Sequence, residues 1–450
     1  MRRLSIRAIW SMLLLSLSLI LLALTACSSE PPVVVSTPTP ELEVVVFSTE
    51  APTATLTPTT PATKAPSPTA AMGVSTAVPT TTVSADQTSP ANRPPDINPL
   101  TGLKATDPAL LKRRPIMVRI GNDPGIQQVA LEKADIVYEE IVEWWVTRFT
   151  GIFLSQDPEM IAPIRSARLI NLQLVPQYQG ALANSGGSDE VRWELSQSDL
   201  VNLDEFFSPQ PYFYRENEGW QTRLAFDAVT AREYMQNEDL EADVKLRGFV
   251  FNPKPEFNDL PREAVGDAKE AIIPYPQQTS EVRWQYDPAS GNYLRWKTGE
   301  PMEDFDGKQL SATNVIIYFA EHQDTDIVED SNGATSIRIN INGLGTAWLL
   351  RDGKILKGNW ETNGRETPNF IFNDGRPMPL KPGNTWVEVV PLDFEIEIDG
   401  VAHARLSDAS GKASGSSQPE AEAADEPEAT ATLTPTPIGA RPAATPTAIQ

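Results

Sequence analysis

Apolar residues follow four regimes along the chain. Residues 9–23 are almost unbroken Leu, Ile, Ala and Ser. Residues 28–97 mix Pro, Thr, Ala, Ser and Val without a period. Residues 98–406 carry strand and helix periods, and residues 407–450 return to Ala, Glu, Pro and Thr. Only the third regime has the repeated apolar spacing that builds a core.

Within it, 115–121 (PIMVRIG) reads as a short strand. From 135 to 143 the positions alternate: Ile136, Tyr138, Glu140 and Val142 are mostly apolar, while Asp135, Val137, Glu139, Ile141 and Glu143 are mixed. This predicts a strand with one buried face, and with Asp135, Glu139 and Glu143 on a solvated one. Residues 147–154 form a second strand, paired with the first as a hairpin. Residues 166–178 have near-helical apolar spacing up to Pro176. They predict a helix that starts at Arg165-Ser166, with Ser166 as cap. A strand at 181–185 runs into Gly186-Gly187, a helix follows at 189–196, and Asp227 caps an amphipathic helix at 227–237.

The second half of this region reads as nearly all strand. Pairs flank Pro288-Ala289-Ser290-Gly291, Asp352-Gly353 and Asp374-Gly375, and Asp-Gly is a strong hairpin signal. Residues 315–320 form a buried strand, 335–342 alternate at Ile337, Ile339 and Ile341, and 386–390 and 394–398 finish the set. A short helical stretch is expected at 262–271, between proline-rich segments. About 300 residues exceed one typical core, so two domains are expected. The fold class is α+β: an α/β-type N-terminal domain at 98–265 and a mostly-β C-terminal domain at 266–406, flanked by disordered segments.

The ends of the chain set the expected address. Arg2, Arg3 and Arg7 precede the apolar run, and Leu24-Thr25-Ala26-Cys27 follows it. A basic start, a short apolar core and small residues are a secretory signal over 1–27. Leu-Thr-Ala-Cys has the form of a bacterial lipobox, in which Cys27 is acylated and becomes the first residue. Cys27 is the only cysteine, so no thiol is left for a disulfide, a metal site or a nucleophile. The segment 28–97 cannot bury a core and is expected to be a disordered linker; 407–450 is expected to be a disordered tail. The expected location is extracytoplasmic, held to the membrane by the N-terminal lipid.

Charge narrows the partners. The chain carries 37 Lys and Arg and 60 Asp and Glu, a net of −23. Removing the signal takes away three arginines and no acid, which makes the remainder −26. Such a chain repels nucleic acid, so no nucleic-acid partner is expected. Neither a glycine-rich phosphate loop nor a dinucleotide fingerprint occurs, and no zinc spacing is present, so no cofactor or metal is expected.

The string NPLTG, ADIVYE, TRF, PIRSAR and GGS, followed by YDPASGNYLRW, NVIIYF, LLRDGKILKGNW and PGNTWVEVVP, resembles the YerB-like bacterial lipoproteins over residues 98–391. The resemblance implies a lipid anchor and separate N- and C-terminal parts; it implies no activity. It also implies a His shortly before Gly-Gly-Ser, where this chain has Leu182-Ala183-Asn184.

Candidate chemistry concentrates between 134 and 188. Arg165 and Arg168, three apart at an expected helix start, would share a face beside exposed N–H groups and make a receptor for a carboxylate or phosphate. Ser166 lies between them, and Gly186, Gly187 and Ser188 would add backbone donors ahead of the next helix. Arg148 and Trp145 would supply a guanidinium and a stacking ring for a cell-wall or extracellular ligand. The structural alternative pairs the arginines with Glu139, Glu140, Glu143 or Asp189. Nucleophilic catalysis lacks a base, because His322 and His403 both lie in the second domain. The leading expectation is a non-enzymatic binding protein for an anionic ligand. The alternatives are an envelope hydrolase or transferase using Glu139 or Asp189 with the arginines, and an architectural assembly factor.

Overall fold

The computed structural model describes residues 87–405. The expected signal with Cys27, residues 28–86 of the linker and the whole tail lie outside the described residues.

One mixed sheet is assembled from eleven strands: β1 (Ile116–Gly121), β2 (Ile136–Ile141), β3 (Thr147–Phe153), β4 (Ala181–Asn184), β5 (Val201–Asp204), β6 (Val265–Asp267), β7 (Asn314–Phe319), β8 (Gly343–Arg351), β9 (Lys354–Thr362), β10 (Asn369–Ile371) and β11 (Thr385–Val390). The spatial order is β10-β9-β8-β7-β11-β2-β3-β1-β4-β5, with β6 beside β9. The β2–β3 and β8–β9 hairpins are antiparallel, as their periods predict. At the β8–β9 turn Asp352 and Gly353 both have positive φ, 52° and 70°, the backbone a two-residue hairpin requires. The parallel pairs are β1–β4, β4–β5, β7–β11 and β2–β11. Residues on both sides of position 265 thus contribute to one sheet, through β11 next to β2.

The described residues are strand-rich with few, short helices: α1 (Asn171–Gln177), α2 (Asp189–Ser196) and α3 (Ala228–Asn237). Ser188 caps α2, and Asp227 caps α3 by accepting the Val229 and Thr230 N–H groups. A second, seven-stranded sheet contains Glu270–Ile273, Val282–Asp287, Asn292–Lys297 and Glu395–Ile398. It lies on one face of the large sheet, where Trp284, Tyr293 and Ile396 join Val137, Phe149 and Trp386 in one core. Helix α1 lies on the other face, where Leu174 and Tyr178 join Ile136, Tyr138, Ile152 and Val389.

This double covering corrects the expectation of a solvated face. Every residue of β2 is buried, and Asp135, Glu139 and Glu143 are too. A mixed sheet packed on both sides has no wet face. The helix expected from Ser166 begins only at Asn171. The 165–168 backbone is spent elsewhere. Arg165 N–H donates to Arg119 C=O, Ser185 N–H donates to Arg165 C=O, and Ala167 N–H donates to Gly186 C=O. Pairing with two neighbouring segments holds this stretch extended, against its helical apolar spacing. The helix expected at 262–271 is a single 3₁₀ turn, Arg262–Ala264, followed by β6. The acid-rich residues 324–330 belong to a hairpin of Glu321–Val328 with Thr335–Asn340, paired separately from both large sheets.

Candidate functional site

Strands β1, β4 and β5 are parallel, so Gly121, Asn184 and Asp204 end at one edge of the sheet. Ligands of open sheets gather at the carboxyl ends of parallel strands. Strand β3 enters at the same edge, with Arg148 opposite both Gly121 and Glu140. The extended 163–168 segment crosses it, with Gly121 N–H donating to Pro163 C=O.

Arg168 meets Glu143 through two guanidinium nitrogens, Nε (2.7 Å) and Nη2, and its Nη1 donates to the Ala167 carbonyl at 2.7 Å. Arg148 shares the same carboxylate, Nη2 to Glu143 Oε1 at 2.9 Å, while its Nε and Nη1 are buried and have no partner. Arg119 occupies the same sheet face one pair further in. It pairs with Glu140, donates to Thr150 Oγ1 at 2.7 Å and reaches the Ser166 carbonyl at 3.3 Å; its Nη2 has no partner. Three guanidinium groups therefore converge on Glu140 and Glu143, and a third carboxylate, Glu329, stands 3.5 Å from Arg168 Nη1.

Electrostatics follow from burial and from these neighbours. Burial alone would push the Glu143 carboxyl up, but the Arg168 hydrogen bonds and the charges of Arg148 and Arg168 outweigh it and hold Glu143 at about 2. Burial raises Glu140 to about 7, with Arg119 only partly offsetting it. Burial and the charge of Arg168 pull Arg148 down to about 9.

The other expected site residues surround this cluster. Arg165 does not join it: its guanidinium grips Asp123 (2.7 and 3.1 Å) and donates to the Gln221 carbonyl at 2.7 Å. It lies flat on Gly121, where a Cβ would stand 3.0 Å from Arg165 Nε. The Ser166 hydroxyl donates to the Ser185 carbonyl at 3.1 Å. Gly186 takes positive φ (69°) with the Phe206 ring 3.3 Å from where its Cβ would be. The Ser188 hydroxyl is engaged by the Val191 N–H as the α2 cap. Trp145 sits in the β2–β3 turn, and its side chain lies outside what the structure describes. Its neighbour Trp144 is 59% exposed and donates to Asp330 Oδ2 at 2.7 Å.

Arg119, Asp123 and Glu329 escaped sequence reasoning. Arg119 had a signal, a charge inside a six-residue apolar strand; Glu329 had none, being 161 residues from Arg168. The neighbourhood where the resemblance implies a His reads Leu182-Ala183-Asn184. Asn184 is buried; its backbone N–H donates to Tyr212 Oη (3.0 Å), and its Nδ2 donates to Asn202 Oδ1 at 2.6 Å.

The opposite face of β2 carries a second charged group. Glu139 accepts from Thr147 Oγ1 (2.6 Å), Asn122 Nδ2 (3.3 Å), Trp386 Nε1 (3.3 Å) and Arg295. Glu388 lies beside it across the β2–β11 pair and accepts from Trp284 Nε1 at 2.8 Å. Burial, then the charge of Glu139, raises Glu388 well above the usual carboxyl range. The Arg295 guanidinium covers the Trp386 ring at 4.6 Å. Both carboxyls are fully buried. Among the described residues no group of three or more His, Cys, Asp or Glu is placed to hold a metal.

Fold and sequence together define a strand-rich module in two sequence parts. The family model described as "Protein of unknown function (DUF3048) N-terminal domain" matches residues 100–248, and the corresponding C-terminal domain matches 271–387. The chain is 30% identical over 304 residues to the Bacillus subtilis (strain 168) protein named "Putative lipoprotein YerB", covering 65% of this chain and 86% of that one. The crystal structure of YerB from Bacillus subtilis superposes with a TM-score of 0.57 at 26% identity, over 66% of this chain and 98% of that one. This chain belongs to the YerB-like DUF3048 family.

Proposed function

We propose that this protein is a lipid-anchored extracytoplasmic binding protein whose ligand carries an anionic group, received at the Arg148–Arg168 corner. The observation that carries this reading is Arg148: two of its guanidinium nitrogens are buried without a partner, beside an unpartnered nitrogen of Arg119. Buried donors left unmade cost about 1–3 kcal/mol each, more on a charged group. An anion accepting them would recover that cost and restore Arg148 toward its ordinary basicity. Arg165, Ser166 and Gly186–Ser188 frame the corner rather than touch the ligand.

The test is a thermal-shift and calorimetric titration of the full chain with acetate and with inorganic phosphate. Binding is expected, and Arg148→Ala is expected to weaken it by about a hundredfold, on the order of 3 kcal/mol for a lost charge-assisted pair. Equal binding by Arg148→Ala removes the site. A Cys27→Ser chain that still fractionates with membranes removes the anchor from this reading.

A second reading is architectural, and one observation favours it: Arg165 and Arg168 are already held by Asp123 and Glu143. On that reading the corner only ties the β2–β3 turn to the 163–168 segment, and no anion alters the melting temperature.

A further inference from the structure

Glu329 is an odd member of the arginine corner. Its side chain is 1% exposed, yet its Oε2 has no hydrogen-bond partner and stands 3.5 Å from Arg168 Nη1. Glu143, on the same arginine, is gripped through two nitrogens. The other Glu329 oxygen accepts from Ser336 Oγ at 2.7 Å, inside its own hairpin. The carboxylate therefore belongs mechanically to the hairpin and only leans on the arginines.

The hairpin is fastened unevenly. Its base is bound to α1: Gln173 Nε2 donates to the Ile339 carbonyl (2.9 Å), and Gln173 Oε1 accepts the Ile341 N–H (3.0 Å). Ile339 and Ile341 are buried there. The outer strand, Glu321–Val328, has no fully buried residue. Near the tip the structure gives the Glu329–Arg168 approach, the Asp330–Trp144 hydrogen bond and one partly buried apolar side chain, Ile327, against the α1-side core. Few buried apolar contacts and an exposed hydrogen bond mark a segment of low local stability.

We propose that Glu329 is a resident stand-in for the carboxylate of the ligand, and that this carboxylate enters when the hairpin tip lifts. The inference rests on the anion-binding reading above and names the ligand class, a carboxylate-bearing molecule. Exchange of one carboxylate for another leaves the charge balance of Arg119, Arg148, Arg168, Glu140 and Glu143 unchanged. A ligand free to orient reaches the unpartnered nitrogens of Arg148 and closes on the Nη1 of Arg168, which Glu329, tied to Ser336, approaches only to 3.5 Å.

The experiment compares wild type, Glu329→Ala and Glu329→Gln, all as the full chain, in titrations with acetate and with inorganic phosphate. Acetate is expected to bind Glu329→Ala at least about tenfold tighter than wild type, because the internal competitor is gone. Glu329→Gln keeps the shape without the charge and is expected to fall on the same side. In wild type, saturating acetate is expected to speed backbone hydrogen exchange at 329–335 while the Gln173-anchored base stays protected. Acetate binding that wild type shows and Glu329→Ala does not strengthen overturns the stand-in and leaves the anion site standing. Tighter binding of phosphate than acetate by Glu329→Ala overturns the carboxylate class. If no chain binds either anion, both readings fail together.

Discussion

The two faces of β2 carry neighbouring glutamates in opposite conditions. Glu139 points between the two sheets, and both of its oxygens are fully engaged, by Thr147, Asn122, Trp386 and Arg295. Glu140 points toward α1, where one oxygen meets Arg119 and the other has no partner. Each is fully buried. On one face the Glu139 carboxylate is fully engaged among tryptophans, and the unpartnered atoms are Arg295 Nε and Glu388 Oε2 at its flanks; on the other, Arg119 and Arg148 together leave three guanidinium nitrogens without a partner beneath a hairpin. Satisfied buried networks rigidify a core, whereas incompletely satisfied ones mark places with a reason to stay so. On the proposed reading, the Glu139 face serves architecture and the Glu140 face recognition.

The strongest way to break that comparison is to truncate both glutamates. Glu139→Ala leaves Arg295 buried without its carboxylate and strips four donors of their acceptor. A loss of about 4 kcal/mol is expected, the range for breaking a buried pair, read by denaturant unfolding. Glu140→Ala is expected to cost less; the reverse order would erase the distinction.

A pH series sharpens it. Glu140 is held at about 7 in the fold, against an ordinary value of 4.5. The folded state then holds a proton that the unfolded chain releases, so stability falls as pH rises from about 4.5 to about 7. The full contribution is on the order of 3 kcal/mol. Glu143 runs the other way: held at about 2, it stabilises above about 4.5, and that gain is lost as pH falls toward 2. Glu140→Gln is expected to flatten the slope between pH 5 and 7 and leave the acid limb intact. An unchanged slope in urea melts at pH 5 and 8 would show that Glu140 is not the titrating group.

The smallest effect belongs to the cap. Trp144→Phe removes one exposed hydrogen bond to Asp330 and is expected to cost under about 1 kcal/mol. It should nevertheless raise hydrogen exchange at 329–335 more than at the hairpin base. Uniform exchange along the hairpin would mean the tip is not separately hinged.

Much of this fold is readable in local pattern. The β2–β3 and β8–β9 hairpins, the Asp227 cap and the strand after Gly180 all follow from spacing, turn residues and short-range hydrogen bonds. The corner's arginines were readable as a cluster, and Arg168 with Glu143 was among the pairings the residues allowed. Their setting was not: 165–168 has helical apolar spacing, but the neighbouring backbone of Arg119, Ser185 and Gly186 takes its hydrogen bonds and draws it straight. Tertiary pairing outweighs a propensity worth only tenths of a kcal/mol per residue.

What the sequence determined by itself is therefore everything that acts within about ten residues, together with the family and the composition of the two ends. What only the tertiary structure decided is what covers each face. A period of two puts Asp135, Glu139 and Glu143 on one side; in the structure β2 ends at Ile141 and Glu143 joins Arg168 on the Glu140 face, and the period is silent on whether water or a second sheet covers Glu139. The answer came from Trp386 and Arg295, and for the other face from Glu329, all more than 150 residues away from the groups they contact. Alternation is a local property of the backbone, while burial is set by distant partners, and the chemistry of these carboxylates and guanidinium ions follows burial.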